Sequence, residues 1–211
     1  MRAAAKWTGD LVAIVLLLLP AAACWVEKRI DPDSEGMFSF WAHIVAFAPG
    51  PPGVMLRRAF YRLTLDRCAR SFYMAIGAMF THRHATVENG VYVGAYALVG
   101  CAKLCEGCLI GSRASLLSGP NLHRFEGGKW TEADLSRREQ IEIGANAWIG
   151  EGAILMANVG PGAMVAAGSV VSTEVAGGVV VAGNPARFVR RLEDSTGTAA
   201  QPVAVLTERL R

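Results

Sequence analysis

Aliphatic residues recur at every sixth position through the second half of the chain. An amphipathic helix would show spacings of three and four, and a half-buried strand would alternate with a period of two. A period of six indicates a short strand and a corner in each repeat, and three repeats close a triangular solenoid turn of about 18 residues. The repeats form four groups of three and predict four stacked turns: Val87, Val93, Val99; Leu104, Ile110, Leu116; Ile143, Ile149, Leu155; and Val159, Val165, Val171.

The residues that follow each aliphatic position fit this interpretation. Glycine comes next in many repeats, as in Val93-Gly94 and Ile149-Gly150. Because glycine adopts backbone angles that other residues avoid, we expect these glycines to form corners. Small side chains four residues after the aliphatic position predict a second, narrow inward site: Ala97, Cys108, Ala114, Ala147, Ala153, Ala163 and Ser169.

Three breaks in the period show where loops leave the stack. The step from Val99 to Leu104 is one residue short and the step from Leu155 to Val159 is two short, while a long insertion, residues 117–140, separates Leu116 from Ile143. Solenoids accept such changes at corners. The insertion is therefore expected to project from one edge, and long loops on a rigid scaffold often carry chemistry.

The N-terminal third has a different pattern. Sixteen residues from Leu11 to Val26 are apolar apart from the interruption at Pro20. Since a membrane span takes about 20 residues, the segment predicts a short or tilted span, a hairpin packed on the protein or on a membrane, or a signal peptide. We assign residues 1–35 to this segment, which ends in an acidic linker from Asp31 to Glu35.

A helical region is expected over residues 36–75. Leu56, Phe60 and Leu63 share one helical face and have arginines around them. This pattern is typical of a helix lying on anionic lipid, and equally of a helix that covers the open end of a β-solenoid. The β-helix itself is assigned to residues 76–190, followed by a polar tail over 191–211.

Composition narrows the function classes. With 52% hydrophobic and 18% charged residues, the chain is not intrinsically disordered over most of its length. A net charge of +3 is too small for a nucleic-acid-binding protein. Basic residues nevertheless concentrate just before the repeats, at Arg57, Arg58, Arg62, Arg67 and Arg70.

Five cysteines, an odd number, fit a reducing compartment better than a disulfide framework. Cys101, Cys105 and Cys108 have the C-x3-C-x2-C spacing of radical enzymes that hold an iron–sulfur cluster. They also lie inside the repeats, where small buried thiols are expected. Burial is the preferred interpretation.

The segments IEIGANAWIGEGAILMANVGPGAMVAAGSVVSTEV and VVVAGNPARFVRRL resemble the C-terminal half of hexapeptide-repeat acyltransferases, such as the maltose, galactoside and serine O-acetyltransferases and polysaccharide-biosynthesis acetyltransferases. The resemblance implies a left-handed parallel β-helix, a homotrimer, and transfer of an acetyl or other short acyl group from acyl-CoA to a hydroxyl of a sugar or glycan. Acetyl-CoA is then a donor substrate, and no metal is expected.

The same resemblance assigns roles to individual residues. His123, in the insertion just before IGANAWIG, matches the catalytic histidine, and imidazole is suited to general-base catalysis near neutral pH. Glu126 and Asp134, in the same insertion, are the candidates for orienting it. The resemblance places six residues at the coenzyme: Trp148, Glu151, Ala167, Ser172, Thr173 and Arg187, the last near its phosphates.

Two features depart from the sugar acetyltransferases: the short step before Val159, and the lack of a counterpart of their acceptor-binding asparagine. His82 and His84 also suggest a zinc-dependent carbonic anhydrase of the γ type, although such a site needs three histidines. A non-catalytic scaffold is the other alternative. Since acyl-CoA is an intracellular donor, we expect a cytoplasmic protein, attached through its N-terminus to the inner face of the membrane.

Overall fold

The computed structural model describes residues 2–117, 125–131 and 139–192, and the side chains from Thr8 onward within them. Four helices come first: α1 (Arg2–Leu16), α2 (Leu18–Ile30), α3 (Gly36–Ala46) and α4 (Gly50–Thr64). Eighteen short strands follow: β1 (Arg67–Cys68), β2 (Tyr73–Met74), β3 (Met79–Phe80), β4 (Thr86–Val87), β5 (Tyr92–Val93), β6 (Leu98–Val99), β7 (Ala102–Leu104), β8 (Leu109–Ile110), β9 (Ser115–Leu116), β10 (Phe125–Glu126), β11 (Lys129–Trp130), β12 (Ile141–Ile143), β13 (Trp148–Ile149), β14 (Ile154–Leu155), β15 (Met164–Val165), β16 (Val170–Val171), β17 (Val179–Ala182) and β18 (Arg187–Arg191).

The strands stack as a three-sided parallel β-helix. Face A contains β1, β4, β7 and β12, and isolated bridges continue it through Val159 and Val175. Face B runs from β2 through β5, β8, β13 and β15 to β17, where β18 adds the one antiparallel strand of that face. Face C contains β3, β6, β9, β14 and β16. About five coils result, which confirms the predicted β-helix.

The period of six marks the interior of this prism. All twelve predicted aliphatic positions are at most 2% exposed, and the seven small residues of the second inward site are buried too. Burial of an aliphatic side chain contributes roughly 1.5–3 kcal/mol, so the stacked interior provides most of the favourable free energy of folding.

The β-helix begins earlier than the expected boundary at residue 76, because α4 ends at Thr64 and β1 starts at Arg67. Cys68, Met74 and Phe80 occupy the inward positions of this additional coil, again six residues apart. These side chains are a thiol, a thioether and an aromatic ring, so a pattern of aliphatic residues does not reveal the period of six in this coil. This coil is the terminal coil of the β-helix, at the end of the prism that the helices cover.

The glycines after the aliphatic positions have a different role from the one predicted. Gly144 and Gly150 do not have positive φ. A Cβ on either would lie 2.4 Å from a backbone nitrogen of the next coil, that of Pro161 or Ala167. These glycines therefore permit close approach of successive coils. The left-handed conformation occurs two residues later, at Gly152 for example, whose φ is +66°.

Helix α4 covers the open end of the β-helix. Phe60 is fully buried, and Leu56 and Leu63 pack against the core. The Tyr61 ring lies edge-on to Phe80 with centroids 4.9 Å apart, and its hydroxyl accepts a hydrogen bond from the Phe80 amide. The apolar face of α4 is thus an end cap, which excludes it as a lipid-binding face.

Two arginines of the basic cluster are internal parts of this cap. Arg57 is 1% exposed and donates hydrogen bonds to the carbonyl oxygens of Val45, Ala46, Ala48 and Met74. Arg58 is 6% exposed and pairs with Asp10 of α1. Because a buried cation is costly unless it is hydrogen-bonded, these contacts fix the helices on the first coil.

Replacement of Gly150 by alanine should destabilise the β-helix, because its Cβ would overlap the backbone of the next coil. Overpacking of this kind costs about 1–3 kcal/mol. Gly152→Asn is the matched control, since no atom lies within 4 Å of its Cβ position and asparagine tolerates positive φ. Urea unfolding should show a clearly larger loss for Gly150→Ala; equal losses would contradict the close-approach role.

Candidate functional site

The insertion leaves the prism where face C turns into face A, between β9 and β12. We call this the C–A edge. Part of the insertion forms an antiparallel hairpin, β10 paired with β11, in which the Phe125 and Trp130 rings meet at 5.3 Å between centroids. Gly127 and Gly128 at its tip both have positive φ, as tight hairpin turns require.

The predicted catalytic pair is only partly described. Glu126 is exposed on the hairpin. His123 and Asp134 lie outside the described residues, so the pairing of Glu126 or Asp134 with His123 stays a prediction.

Two of the predicted coenzyme residues meet at the edge between faces B and C, the B–C edge. Glu151 and Ala167 occupy the same corner position on successive coils, and the Gly168 amide donates to the Glu151 carbonyl at 2.8 Å. Both residues are exposed. Within the described part of the chain, no recorded hydrogen bond uses the N–H group of either residue. The B–C edge therefore has two backbone N–H groups, one coil apart, that form no hydrogen bond within the described residues.

Both apolar and charged side chains lie beside these N–H groups. Trp148 is 50% exposed on face B, aligned with Leu109 and Met164 on the neighbouring coils. The Glu151 carboxylate forms an ion pair with Arg113 across the edge. Because both side chains are largely exposed, the pair adds little stability.

Of the other three predicted residues, Ser172 and Thr173 lie at a different edge, whereas Arg187 lies opposite the end of β17, beside the B–C edge. Ser172 and Thr173 are exposed at the C–A edge, where the chain leaves β16. Arg187 is exposed on β18, in register with Ala182. Face C separates the two edges of the prism. One chain therefore does not gather all the predicted residues into one site.

His82 and His84 contribute to the end cap. Nδ1 of His82 lies 2.5 Å from the Glu35 carboxylate, and Nδ1 of His84 lies 2.9 Å from Asp66. Over residues 8–117, 125–131 and 139–192, no group of three or more His, Cys, Asp or Glu side chains is arranged to hold a metal ion. The histidines join the helices to the first coil.

The cysteines lie in the stack as small side chains. Cys101 is at the C–A edge, whereas Cys105 and Cys108 stand at the opposite end of face A. Burial, aided by the neighbouring Glu142, raises the pKa of the Cys105 thiol to about 11. Burial likewise raises the pKa of Cys108 to about 12. Neither thiol carries much of the nucleophilic thiolate at neutral pH.

Outward side chains divide the prism into one polar and two apolar faces. Face A presents Arg67, Thr86, Lys103 and Glu142. Faces B and C present large apolar residues that are 39–50% exposed: Tyr73, Tyr92, Leu109, Trp148, Leu98 and Ile154. The period of six predicts only the inward positions. The outward residue next to each aliphatic position distinguishes the polar face A from the apolar faces B and C.

A polar groove of about 550 Å³ runs along face A. It extends from Glu88 and Asn89 at one end to Gln140 at the other, where the insertion returns to the stack, and Arg67 and Lys103 lie between. No sequence pattern indicates this groove, because its residues are adjacent only when the coils are stacked.

Comparison with protein-family models gave no match, and neither did comparison with curated proteins. Solved structures do match. A galactoside acetyltransferase in complex with coenzyme A aligns over 74% of this chain and 81% of its own, with 17% identity and a TM-score of 0.51. The structure thus has the fold of that acetyltransferase.

Two further structures align less closely. The acetyltransferase domain of PglB from Neisseria gonorrhoeae FA1090, in complex with acetyl coenzyme A, is 24% identical over 58% of this chain, with a TM-score of 0.43. AntD, an N-acyltransferase from Bacillus cereus, is 14% identical over 63% of this chain and 86% of its own, with a TM-score of 0.49. The chain spans about half of the PglB structure, 54% of its length.

The raised thiol pKa predicts slow alkylation. At pH 8 a thiol with a pKa of about 11 is almost wholly protonated, so iodoacetamide should modify Cys105 at least about 100 times more slowly than free cysteine. The rate should rise as the pH approaches 11. Peptide mass spectrometry against added glutathione checks this, and rapid modification of Cys105 at pH 8 would contradict it.

Proposed function

We propose that this protein is a coenzyme A-dependent acyltransferase that moves a short acyl group, in the simplest case acetyl, to a hydroxyl of a sugar or glycan. The observation that carries the proposal is the pair of N–H groups of Glu151 and Ala167 at the B–C edge, which form no hydrogen bond within the described residues. The fold shared with a galactoside acetyltransferase that binds coenzyme A supports the same reading.

The B–C edge suits an acyl-CoA in several ways. The pantetheine arm is an extended chain with two amide carbonyls, and stacked coils about 4.8 Å apart offer donors along its length. Trp148 provides an exposed apolar surface beside the edge. Arg187, exposed on β18, supplies a cation for the phosphates.

The chemistry needs one base and an oxyanion site. His123 accepts the proton of the acceptor hydroxyl while its oxygen attacks the thioester carbonyl. A backbone N–H stabilises the tetrahedral oxyanion, and its collapse breaks the C–S bond and releases the coenzyme thiolate, which takes up a proton. Protonated thiols at Cys105 and Cys108 favour direct transfer over a cysteine acyl-enzyme.

A complete site requires a second copy of the chain. The donor residues Glu151 and Ala167 are at the B–C edge, whereas the insertion with His123 is at the C–A edge. Packing three prisms around a three-fold axis brings the C–A edge of one copy to the B–C edge of the next. The apolar faces B and C support such contacts, because an isolated chain would leave their large side chains in water.

Removal of the base should nearly abolish transfer. General-base catalysis contributes about 10²- to 10⁴-fold, so His123→Ala should lower kcat by that factor while coenzyme A binding is retained. The assay follows free thiol released from acetyl-CoA with panels of sugars and glycans. Wild-type release with unchanged rate in His123→Ala would overturn the assigned base, and a wild-type protein that binds no coenzyme A would favour a scaffold.

Removal of one donor N–H should weaken acyl-CoA binding. Ala167→Pro deletes the amide hydrogen. Proline fits this corner, because Pro161 occupies the same corner position on the edge between faces A and B, where it also precedes a positive-φ glycine, Gly162. A lost hydrogen bond of about 1–1.5 kcal/mol predicts a roughly tenfold higher Kd by calorimetry.

Ala145→Pro is the matched control, since it makes the same change at the same corner position on the edge between faces A and B. Coenzyme affinity should not change in this variant. Equal weakening in both variants would mean that the prolines act on the fold and not on a donor at the B–C edge.

A further inference from the structure

Helices α1 and α2 turn their apolar faces outward. Buried residues of this pair include Ala13, Leu17, Ala21 and Cys24. The opposite face carries large apolar side chains that are 46–83% exposed: Leu11, Val12, Val15, Leu16, Leu18, Leu19, Trp25, Val26 and Ile30. In a water-soluble helix the exposed face is polar, whereas α1 and α2 are apolar on both their buried and their exposed faces.

Helix α3 adds a second stripe. Met37, Phe40, Ile44 and Phe47 recur at spacings of three and four and are 46–59% exposed. Together with α1 and α2, these side chains form an outward apolar surface, which we call the helical apolar surface. Monomeric soluble proteins rarely expose contiguous apolar patches of this kind unless the patch binds a partner.

The helical apolar surface carries no charge from Leu11 to Val26, and exposed carboxylates, Asp31 and Asp33, border it beyond Ile30. The sequence has no charged residue between Asp10 and Glu27. Those two carboxylates are directed to internal partners, Asp10 to Arg58 and Glu27 to Ser34 and the Met37 amide. The stretch between them therefore offers no repulsion to an anionic surface.

Cations lie beside the helical apolar surface. Arg62 and Arg70 line a cavity of about 240 Å³ together with Leu11 and Ile14 of α1. Arg29 is exposed in the last turn of α2, next to Ile30. An apolar face bordered by arginines is the pattern that binds the interface of an anionic bilayer.

The geometry favours one leaflet over a complete span. No single helix among residues 8–117, 125–131 and 139–192 is long and apolar enough to cross a bilayer, although Thr8–Leu16 and Leu18–Ile30 pass that test as a pair with a 48° bend. The inner faces of α1 and α2 are occupied by α4. A span would have to pull them away from that cap.

We propose that the helical apolar surface inserts into one leaflet of an anionic lipid bilayer, with Arg29, Arg62 and Arg70 at the level of the lipid phosphates. The helices pack on the first coil through α4, so the β-helix is held at the membrane by its capped end. The proposal concerns lipid binding alone and stands independently of the acyltransferase activity.

Flotation of the full-length protein with vesicles tests the proposal. Wild-type protein should float with vesicles of phosphatidylcholine and phosphatidylglycerol at a ratio of about 3:1, and at least tenfold less should float with phosphatidylcholine alone. Leu19→Glu combined with Ile30→Glu places two carboxylates on the surface and should reduce the bound fraction at least tenfold. Phe188→Glu is the matched control, because Phe188 is 62% exposed on β18, far from the helices in sequence.

Several results would overturn the proposal. The first is a wild-type protein that does not float with the vesicles, and the second is a Phe188→Glu variant whose bound fraction falls as much as that of the double variant. The third is a particle mass of the double variant, measured without vesicles, below that of the wild type, which would mean that another copy covers the surface. Retained coenzyme A binding by the double variant separates loss of lipid binding from loss of folding. If coenzyme A binding is absent from wild type as well, an unchanged thermal melting curve serves the same purpose.

Insertion depth is measured by tryptophan quenching. Trp25 is 50% exposed, and its indole N–H donates to the Leu63 carbonyl at 2.8 Å, which holds the ring in place. Lipids brominated near the headgroup should quench its emission more strongly than lipids brominated near the chain end, and Trp25→Phe should remove the difference. Stronger quenching from the chain end would indicate a span and contradict insertion into one leaflet.

Discussion

The close approach of successive coils at their corners is the constraint on which the structure depends. At Gly111, Gly144, Gly150 and Gly160 an added Cβ would lie within 2.4–2.6 Å of a backbone nitrogen of the next coil. Such spacing permits parallel pairing on three faces at once, and it aligns equivalent corner residues in columns. Glu151 and Ala167 belong to one such column, so the alignment of their N–H groups on successive coils is a direct consequence of the packing.

The end of the stack must also be covered, and both charged contacts and buried apolar side chains hold the covering helices on the first coil. Arg57 of α4 donates hydrogen bonds to three carbonyl oxygens of α3 and the turn after it and to one of the first coil, that of Met74. Arg83, 2% exposed, meets Glu27 and Glu35 on the other side of the cap. Loss of either guanidinium would leave buried polar groups without partners, so we regard the helices and the β-helix as one folding unit. A membrane-bound helical surface would then orient the whole prism.

Much of the fold was predictable from the sequence because the interior repeats strictly. Val93, Ile149 and Val165 are inward where the period of six puts them. The first coil was not recognised, since Cys68, Met74 and Phe80 fill the same positions with different chemistry. The role of Gly150 was also misjudged, because contact between coils depends on residues distant in sequence.

The site was less predictable than the fold. Motif resemblance assigned Glu151, Ala167, Ser172 and Thr173 to the coenzyme together, yet it gave no indication that Ser172 and Thr173 lie at a different edge from the other two. His82 and His84 resembled candidate ligands until their carboxylate partners, Glu35 and Asp66, were seen across the cap. Such pairings join residues that are far apart in the chain, and no local pattern records them.

Complementation between two inactive variants tests the central claim, that each site combines the B–C edge of one copy with the C–A edge of another. His123→Ala removes the base, and Ala167→Trp blocks the donor edge. Co-expressed in equal amounts and assembled at random, the two variants should together give about one quarter of wild-type activity, because a site is intact only when its C–A edge comes from an Ala167→Trp chain and its B–C edge from a His123→Ala chain. Activity no higher than that of the separate variants would contradict a shared site.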